Sequence, residues 1–175
     1  RRVRGGVMRA FRLLPVAGLL LLSGCKALDP VAMYREAARN LNFSLERIVP
    51  KVELAFPLER SRIRIGLDLG IENRSSVRFI SRVLGGKLHL EQGGSSRPIG
   101  FISFPKGLEL AANSKRTSTA ELALTYADLR ELWEPLMAVI QKRQGGTFRL
   151  DGEAELDVLG IPIKVPLRAS KRSGD

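Results

Sequence analysis

Arg62-Ile63-Arg64-Ile65-Gly66-Leu67-Asp68-Leu69-Gly70-Ile71-Glu72 decides the fold of this chain. Ile63, Ile65, Leu67, Leu69 and Ile71 take every odd position, and Arg62, Arg64, Asp68 and Glu72 take even ones. A period of two means a strand with one buried face and one wet face, the signature of an antiparallel sheet. Asn73-Arg74-Ser75-Ser76 ends it as a turn.

The same alternation recurs on both sides. Upstream, Val52, Leu54, Phe56 and Leu58 read as a strand. Downstream, residues 77–90 form a longer extended stretch, and Gly85-Gly86 inside it predicts a bulge or bend. Gly93-Gly94-Ser95-Ser96 is a turn, 99–104 is a strand, and Pro105-Lys106-Gly107 breaks it. Further extended segments cover 108–112 and 115–124, split by Asn113-Ser114. The chain closes on a hairpin. Phe148, Leu150, Ala154, Leu156 and Val158 face one way, and after Leu159-Gly160 the set passes to Ile161, Ile163, Val165 and Leu167. Pro162 and Pro166 remove ladder donors, so this last strand is expected at a sheet edge. Residues 169–175 read as a disordered basic tail.

Two helices stand apart from the strands. Asp29-Pro30 is a helix start, with an acid as N-cap and proline at the first helical position, opening a short helix over 31–40. Tyr126, Leu129, Leu132, Trp133, Leu136, Met137 and Ile140 recur at helical spacing. They predict an amphipathic helix capped by Thr125, kinked at Pro135 and ended by Gly145-Gly146. About seven strands with regular turns and this helix before the final hairpin give a mainly β chain. The expected architecture is an immunoglobulin/fibronectin-like antiparallel β-sandwich.

The N-terminal segment carries the one strong functional signal. From Met8, Arg9 and Arg12 supply a basic region, and residues 13–22 supply an apolar run of about ten residues. Leu22-Ser23-Gly24-Cys25 follows, holding the single cysteine of the chain. It resembles the lipobox of bacterial lipoproteins. That resemblance implies cleavage before Cys25, a diacylglyceryl group on its thiol and an acyl group on its new amine. A spanning helix needs about 20 apolar residues, and Pro15 and Gly18 interrupt a run half that long. An uncleaved transmembrane anchor is the alternative. Residues 1–24 are thus assigned to a signal peptide starting at Met8, 25–47 to a lipidated tether and short helix, and 48–168 to the sandwich. Lys26 stands where aspartate would hold an enterobacterial lipoprotein in the inner membrane. The expected location is the cell envelope, on the outer membrane facing the periplasm where there are two membranes.

Composition narrows the function further. Five arginines precede Cys25, and removing them from the formal charge of +11 leaves +6. A moderately basic exported domain gains attraction to anionic lipid, and nucleic acid is not an expected partner. The only histidine, His89, falls on the wet face of a strand. A lone histidine and a lipidated cysteine build no catalytic triad, Cys–His pair or zinc site. Glu153, Glu155 and Asp157 share one strand face, where a solvated surface is the simple reading and cation binding or acid–base work the sharper one. Trp133 and Tyr126 read as core anchors. No cofactor, metal or catalytic residue is expected.

Several segments together resemble the late-embryogenesis-abundant type 2 family, also called the WHy (water stress and hypersensitive response) domain. They are Leu69-Gly70-Ile71-Glu72-Asn73, Val83-Leu84-Gly85-Gly86-Lys87-Leu88, 110–114, Leu150-Asp151-Gly152-Glu153-Ala154 and Leu159-Gly160-Ile161-Pro162. The resemblance spans roughly residues 48–168 and lies in order and spacing. Asn73, Gly85, Gly86, Gly152 and Gly160 are its turn and structural positions. The family has proline after the asparagine, where this chain has Arg74. Membership implies a small β-sandwich with one helix, no catalytic residues, and a link to desiccation and other stress. The function expected is a non-catalytic, membrane-anchored binding domain for stress protection or envelope maintenance, with a lipid or an envelope protein as partner. The rivals are a periplasmic carrier of lipid or apolar ligand with the 126–140 helix as lid, and a structural subunit recruiting a partner by β-augmentation. A hydrolase ranks last.

Overall fold

A computed structural model describes residues 29–173. Asp29 caps the first helix, α1 (Pro30–Ala38), its Oδ1 accepting from the Val31 amide at 3.0 Å, with Pro30 in the first turn where its missing N–H costs nothing. Eight strands follow among the described residues: β1 (Leu41–Glu53), β2 (Arg62–Asn73), β3 (Phe79–Gln92), β4 (Ser95–Ser103), β5 (Glu109–Leu110), β6 (Ser114–Thr125), β7 (Thr147–Val158) and β8 (Ile161–Arg172). The second helix, α2 (Trp133–Ile140), separates β6 from β7.

The strands form two antiparallel sheets, β1-β2-β6 and β4-β3-β7-β8, with β5 added to β3. The mainly β sandwich expected from the alternation is therefore what the chain forms. At one seam β1 approaches β8, and at the other β6 approaches β4, neither with a ladder. The odd-numbered side chains of β2, from Ile63 to Ile71, are all 0% exposed. They meet the inner faces of β3 and β7, where Leu84, Leu88, Leu150 and Leu156 are equally buried. The β7–β8 hairpin has the expected faces, and β8, with Pro162 and Pro166, lies at the sheet edge. Its two-residue loop puts Leu159 and Gly160 at φ of 52° and 87°, the paired left-handed backbone of a tight hairpin turn.

Several sequence expectations are corrected. The first strand covers Leu41–Glu53 rather than 52–58, so the sandwich begins at Leu41 and not at residue 48. Its period is hidden by a bulge: between Leu45 and Arg47 the register with β2 shifts by the extra residue Glu46, which moves the apolar set from odd to even positions. Leu54, Phe56 and Leu58 lie in the turn after β1 and are exposed. Gly85-Gly86 sit inside an unbroken β3; the register shift with β7 falls between Ser81 and Val83. The 108–112 segment shrinks to the two-residue β5. The 126–140 helix is only Trp133–Ile140. Residues 126–132 make isolated turns, with Leu129 N donating to Tyr126 O at 3.1 Å and Leu132 N to Leu129 O at 2.7 Å. Pro135 thus falls in the first turn of α2, where it starts a helix instead of kinking one. Thr125 caps the turn segment with Asp128: its N and Oγ1 donate to the carboxylate at 2.8 and 2.7 Å. The basic tail is also corrected, because β8 runs to Arg172 and Ala169 is buried.

Candidate functional site

Cys25 lies outside the described residues. What the structure describes is the end of the sandwich into which the chain from Cys25 leads. Asn40 links α1 to β1 and accepts through its carbonyl from Arg74 N at 3.2 Å. This explains the departure at residue 74: proline there would have no N–H to give.

Beside it, Asn73 ends β2 and is 1% exposed. Its Nδ2 donates to the carbonyls of Val77 at 2.7 Å, Ala111 at 2.8 Å and Leu110 at 3.3 Å. Its Oδ1 accepts from Ser75 N at 3.0 Å and Ser75 Oγ at 2.8 Å. The first of these closes the Asx turn expected from sequence. The bonds to Leu110 and Ala111 tie the β2–β3 turn to the end of β5 and the loop after it, 38 residues on in sequence for Ala111, a link that no local pattern shows. Both polar atoms of the Asn73 side chain are satisfied internally, so Asn73 builds the fold and offers nothing to a ligand. Asn73→Ala removes all these bonds, although Ser75 Oγ still donates to Val77 O at 3.3 Å and Ser114 Oγ to Ala111 O at 2.7 Å. We expect a loss of about 2–3 kcal/mol, read as a lower denaturant midpoint with an unchanged slope.

The glycines of the resemblance come together in space. Gly86 faces Gly152 across the β3–β7 ladder, and Gly85 faces Glu153. A Cβ on Gly86 would stand 2.4 Å from Asp151 O, and one on Gly152 would stand 2.0 Å from Gly85 O. Close strand approach, and not phosphate binding, requires glycine at both positions. Gly160 supplies the hairpin turn, and its N donates to Asp157 Oδ1 at 2.8 Å.

The candidate polar chemistry is dispersed over the two outer faces. His89 is on the outer face of β3 and half-buried, opposite Arg149. The Glu153–Asp157 carboxylates do share a face, but Lys164 Nζ sits 2.9 Å from Glu153, and Arg82 pairs with Asp157. Among the described residues no three metal-ligating side chains converge. Trp133 is buried and meets Tyr126 edge-to-face, with ring centroids 5.0 Å apart, as core anchors do.

The other outer face holds a network that sequence reading missed. The bulge residue Glu46 meets Lys115 Nζ at 2.5 Å and accepts from Thr117 Oγ1 at 2.8 Å. Asp68 accepts from Arg47 Nε at 2.7 Å and Thr119 Oγ1 at 2.9 Å. Asp68 was expected to face water; it is on the outer face but covered by these partners. Its hydrogen bond from Arg47 holds its pKa below the ordinary carboxylate value, and the Lys115 bond does the same for Glu46. The Gly160 amide lowers Asp157 likewise. A carboxylate with a depressed folded pKa adds stability above its unfolded pKa and loses it as pH falls through the folded one. The denaturant midpoint should therefore hold from about pH 7 to about pH 5 and fall below about pH 4. A titration in which the midpoint rises on acidification contradicts these pairings.

No family model matches the chain, and no curated protein does. Solved structures do resemble it. The solution structure of AT1g01470 from Arabidopsis thaliana is 14% identical, with a TM-score of 0.50 over 74% of this chain and 78% of that one. A crystal structure of a protein from Archaeoglobus fulgidus is 16% identical, with a TM-score of 0.41 over 74% of this chain and 95% of that one. The putative ApaA protein from Bordetella pertussis is 18% identical, with a TM-score of 0.37 over 76% of this chain and 91% of that one. At these identities the likeness is one of fold alone. The first of them places the two-sheet arrangement among known protein architectures.

Proposed function

We propose that this chain is a membrane-anchored, non-catalytic lipoprotein whose sandwich is a WHy-like binding domain serving stress protection or envelope maintenance. The observation that carries the reading is Leu22-Ser23-Gly24-Cys25, with the only cysteine placed where a lipobox needs it. The fold is consistent with an anchor there. Asp29 already caps α1, α1 packs on β8, and Ala38 is 2% exposed. Four residue steps span at most about 14 Å, so acyl chains on Cys25 hold the domain at the lipid surface. With Lys26 after the cysteine, the outer membrane is the proposed location in a two-membrane cell.

Binding is the proposed activity because the interior is spent on the fold. Leu129, Leu136 and Val139 are buried in the core cluster, which weighs against the version in which α2 is a lid over a ligand chamber. Asn73, Ser61, Ser75, Ser81 and Ser118 are buried, and among the described residues no buried side-chain polar atom lacks a partner. Recognition then falls to the surface.

Cys25→Ser tests the anchor. Each buried CH₂ of an acyl chain contributes about 0.8 kcal/mol, and stable anchoring takes more than one chain. The serine variant should lose mass-detectable acylation and partition away from membrane. Normal processing and membrane fractionation of that variant would remove the lipobox reading.

A further inference from the structure

We infer that the turn between β1 and β2, with the basic groove beside it, is a second membrane contact that docks on bilayer rich in anionic lipid. The turn presents Leu54, Phe56 and Leu58 at 66%, 96% and 40% exposure, with Ala55 and Pro57 also exposed. A run of exposed apolar residues marks an interaction site when the fold holds it outward, and this one is held. Ser61 is 0% exposed, and its Oγ accepts from Ala55 N at 3.0 Å and donates to Ala55 O at 3.3 Å. Arg60 N donates to Pro57 O at 3.0 Å, and Tyr126 N to Ser61 O at 3.0 Å. These bonds clamp the backbone on both sides of Phe56 at the base of the tip.

The surroundings select the partner. Along β1 from the tip, Ile48 joins Ile140 and Phe148 in a groove of about 250 Å³ whose rim carries Lys142, Lys171 and Arg172. Lys51, Arg60 and Arg62 flank the tip and are exposed. None of these six cations makes an ion pair within 4.0 Å among the described residues. Of the nearby acids, Glu53 is 3.5 Å from Arg64, leaving Glu59 as the carboxylate on the tip with no ion pair among the described residues. An apolar tip ringed by unpaired cations complements acyl chains under anionic headgroups, each cation near such a surface adding to the attraction.

The geometry also sets the orientation. The tip and the α1–β1 junction lie at opposite ends of the 13-residue β1, about 40 Å apart, and Asp29 stands one nine-residue helix beyond that junction. Both reach one bilayer when the domain lies along it on the β1–β8 seam. The seam is suited to this, because Phe43 and Arg168 line a second groove farther along it.

The test uses the chain from residue 25 onward with Cys25→Ser, which removes the apolar 13–22 run, acylation and the native thiol, so its outcome is independent of the anchor. Phe56→Cys carries an environment-sensitive fluorophore, and Phe101→Cys, on β4 at the far edge of the second sheet, carries the control label. The vesicles are phosphatidylcholine alone or an equal mixture with phosphatidylglycerol. On the anionic vesicles the label at 56 should shift to the blue and become shielded from an aqueous quencher, while the label at 101 stays accessible. Arg60→Gln with Lys171→Gln and Arg172→Gln should weaken that response about fivefold per charge removed. A label at 56 that stays quenchable on anionic vesicles overturns the inference. So does equal shielding at 56 and 101, or equal shielding on neutral and anionic vesicles.

Discussion

Gly152→Ala should leave no folded protein. The added methyl would lie 2.0 Å from Gly85 O and 2.5 Å from Gly86 Cα, both backbone atoms of the neighbouring strand. A side chain can rotate away from a clash; a paired strand cannot. Relief requires β3 and β7 to separate, breaking the central ladder of the larger sheet. Overpacking of a core costs about 1–3 kcal/mol where side chains can adjust. With backbone on both sides the cost exceeds about 4–5 kcal/mol, against a total stability of about 5–15 kcal/mol. Gly145→Ala is the matched control, since nothing lies within 4 Å of a Cβ there. Circular dichroism and a denaturant titration should show the control native and Gly152→Ala unfolded. A folded Gly152→Ala with a near-native midpoint would refute the close approach of these strands.

Leu67→Ala should cost about 2–5 kcal/mol through lost burial and a residual cavity. Leu67 is 0% exposed in the middle of β2, between Ile48 on β1 and Ala120 on β6. Its neighbour Asp68 points to the outer face. Asp68→Ala gives up the bonds from Arg47 and Thr119, but the Arg47 side chain is 70% exposed and solvent screens the pair. The loss there should stay within about 1 kcal/mol. Denaturant midpoints of the two variants decide the matter. Equal losses would mean that β2 is buried on both faces, which the sandwich does not allow.

How much was legible in sequence depended on whether the pattern was local. The period of two in 62–72 and in the final hairpin needs only neighbouring residues, and both appear in the structure as read. The Asp29-Pro30 start is equally local, and α1 begins there. The first strand was misplaced because Glu46 slips the alternation by one residue, which looks like a loop until the partner strand is known. The 126–140 helix was overextended because spacings of three and four occur in consecutive turns as well as in a helix. The tail was misread because Ser170, Lys171 and Arg172 are polar, though their backbone pairs with β7.

The candidate surface divides in the same way. The likeness of Leu22-Ser23-Gly24-Cys25 to a lipobox is read from adjacent residues, and no tertiary contact enters it. That Gly86 meets Gly152, and that Asn73 holds a loop 38 residues away, follow only from strand register. The apolar residues Leu54, Phe56 and Leu58 continue an alternating pattern in sequence, and sequence reading placed them in a strand. Only the folded chain shows the strand ending at Glu53 and Phe56 standing in solvent. Period was thus enough for the sandwich, because it is a property of contiguous residues. Which apolar side chains face inward and which face a partner was decided by the register between strands, a property of pairs of segments that the chain brings together only on folding.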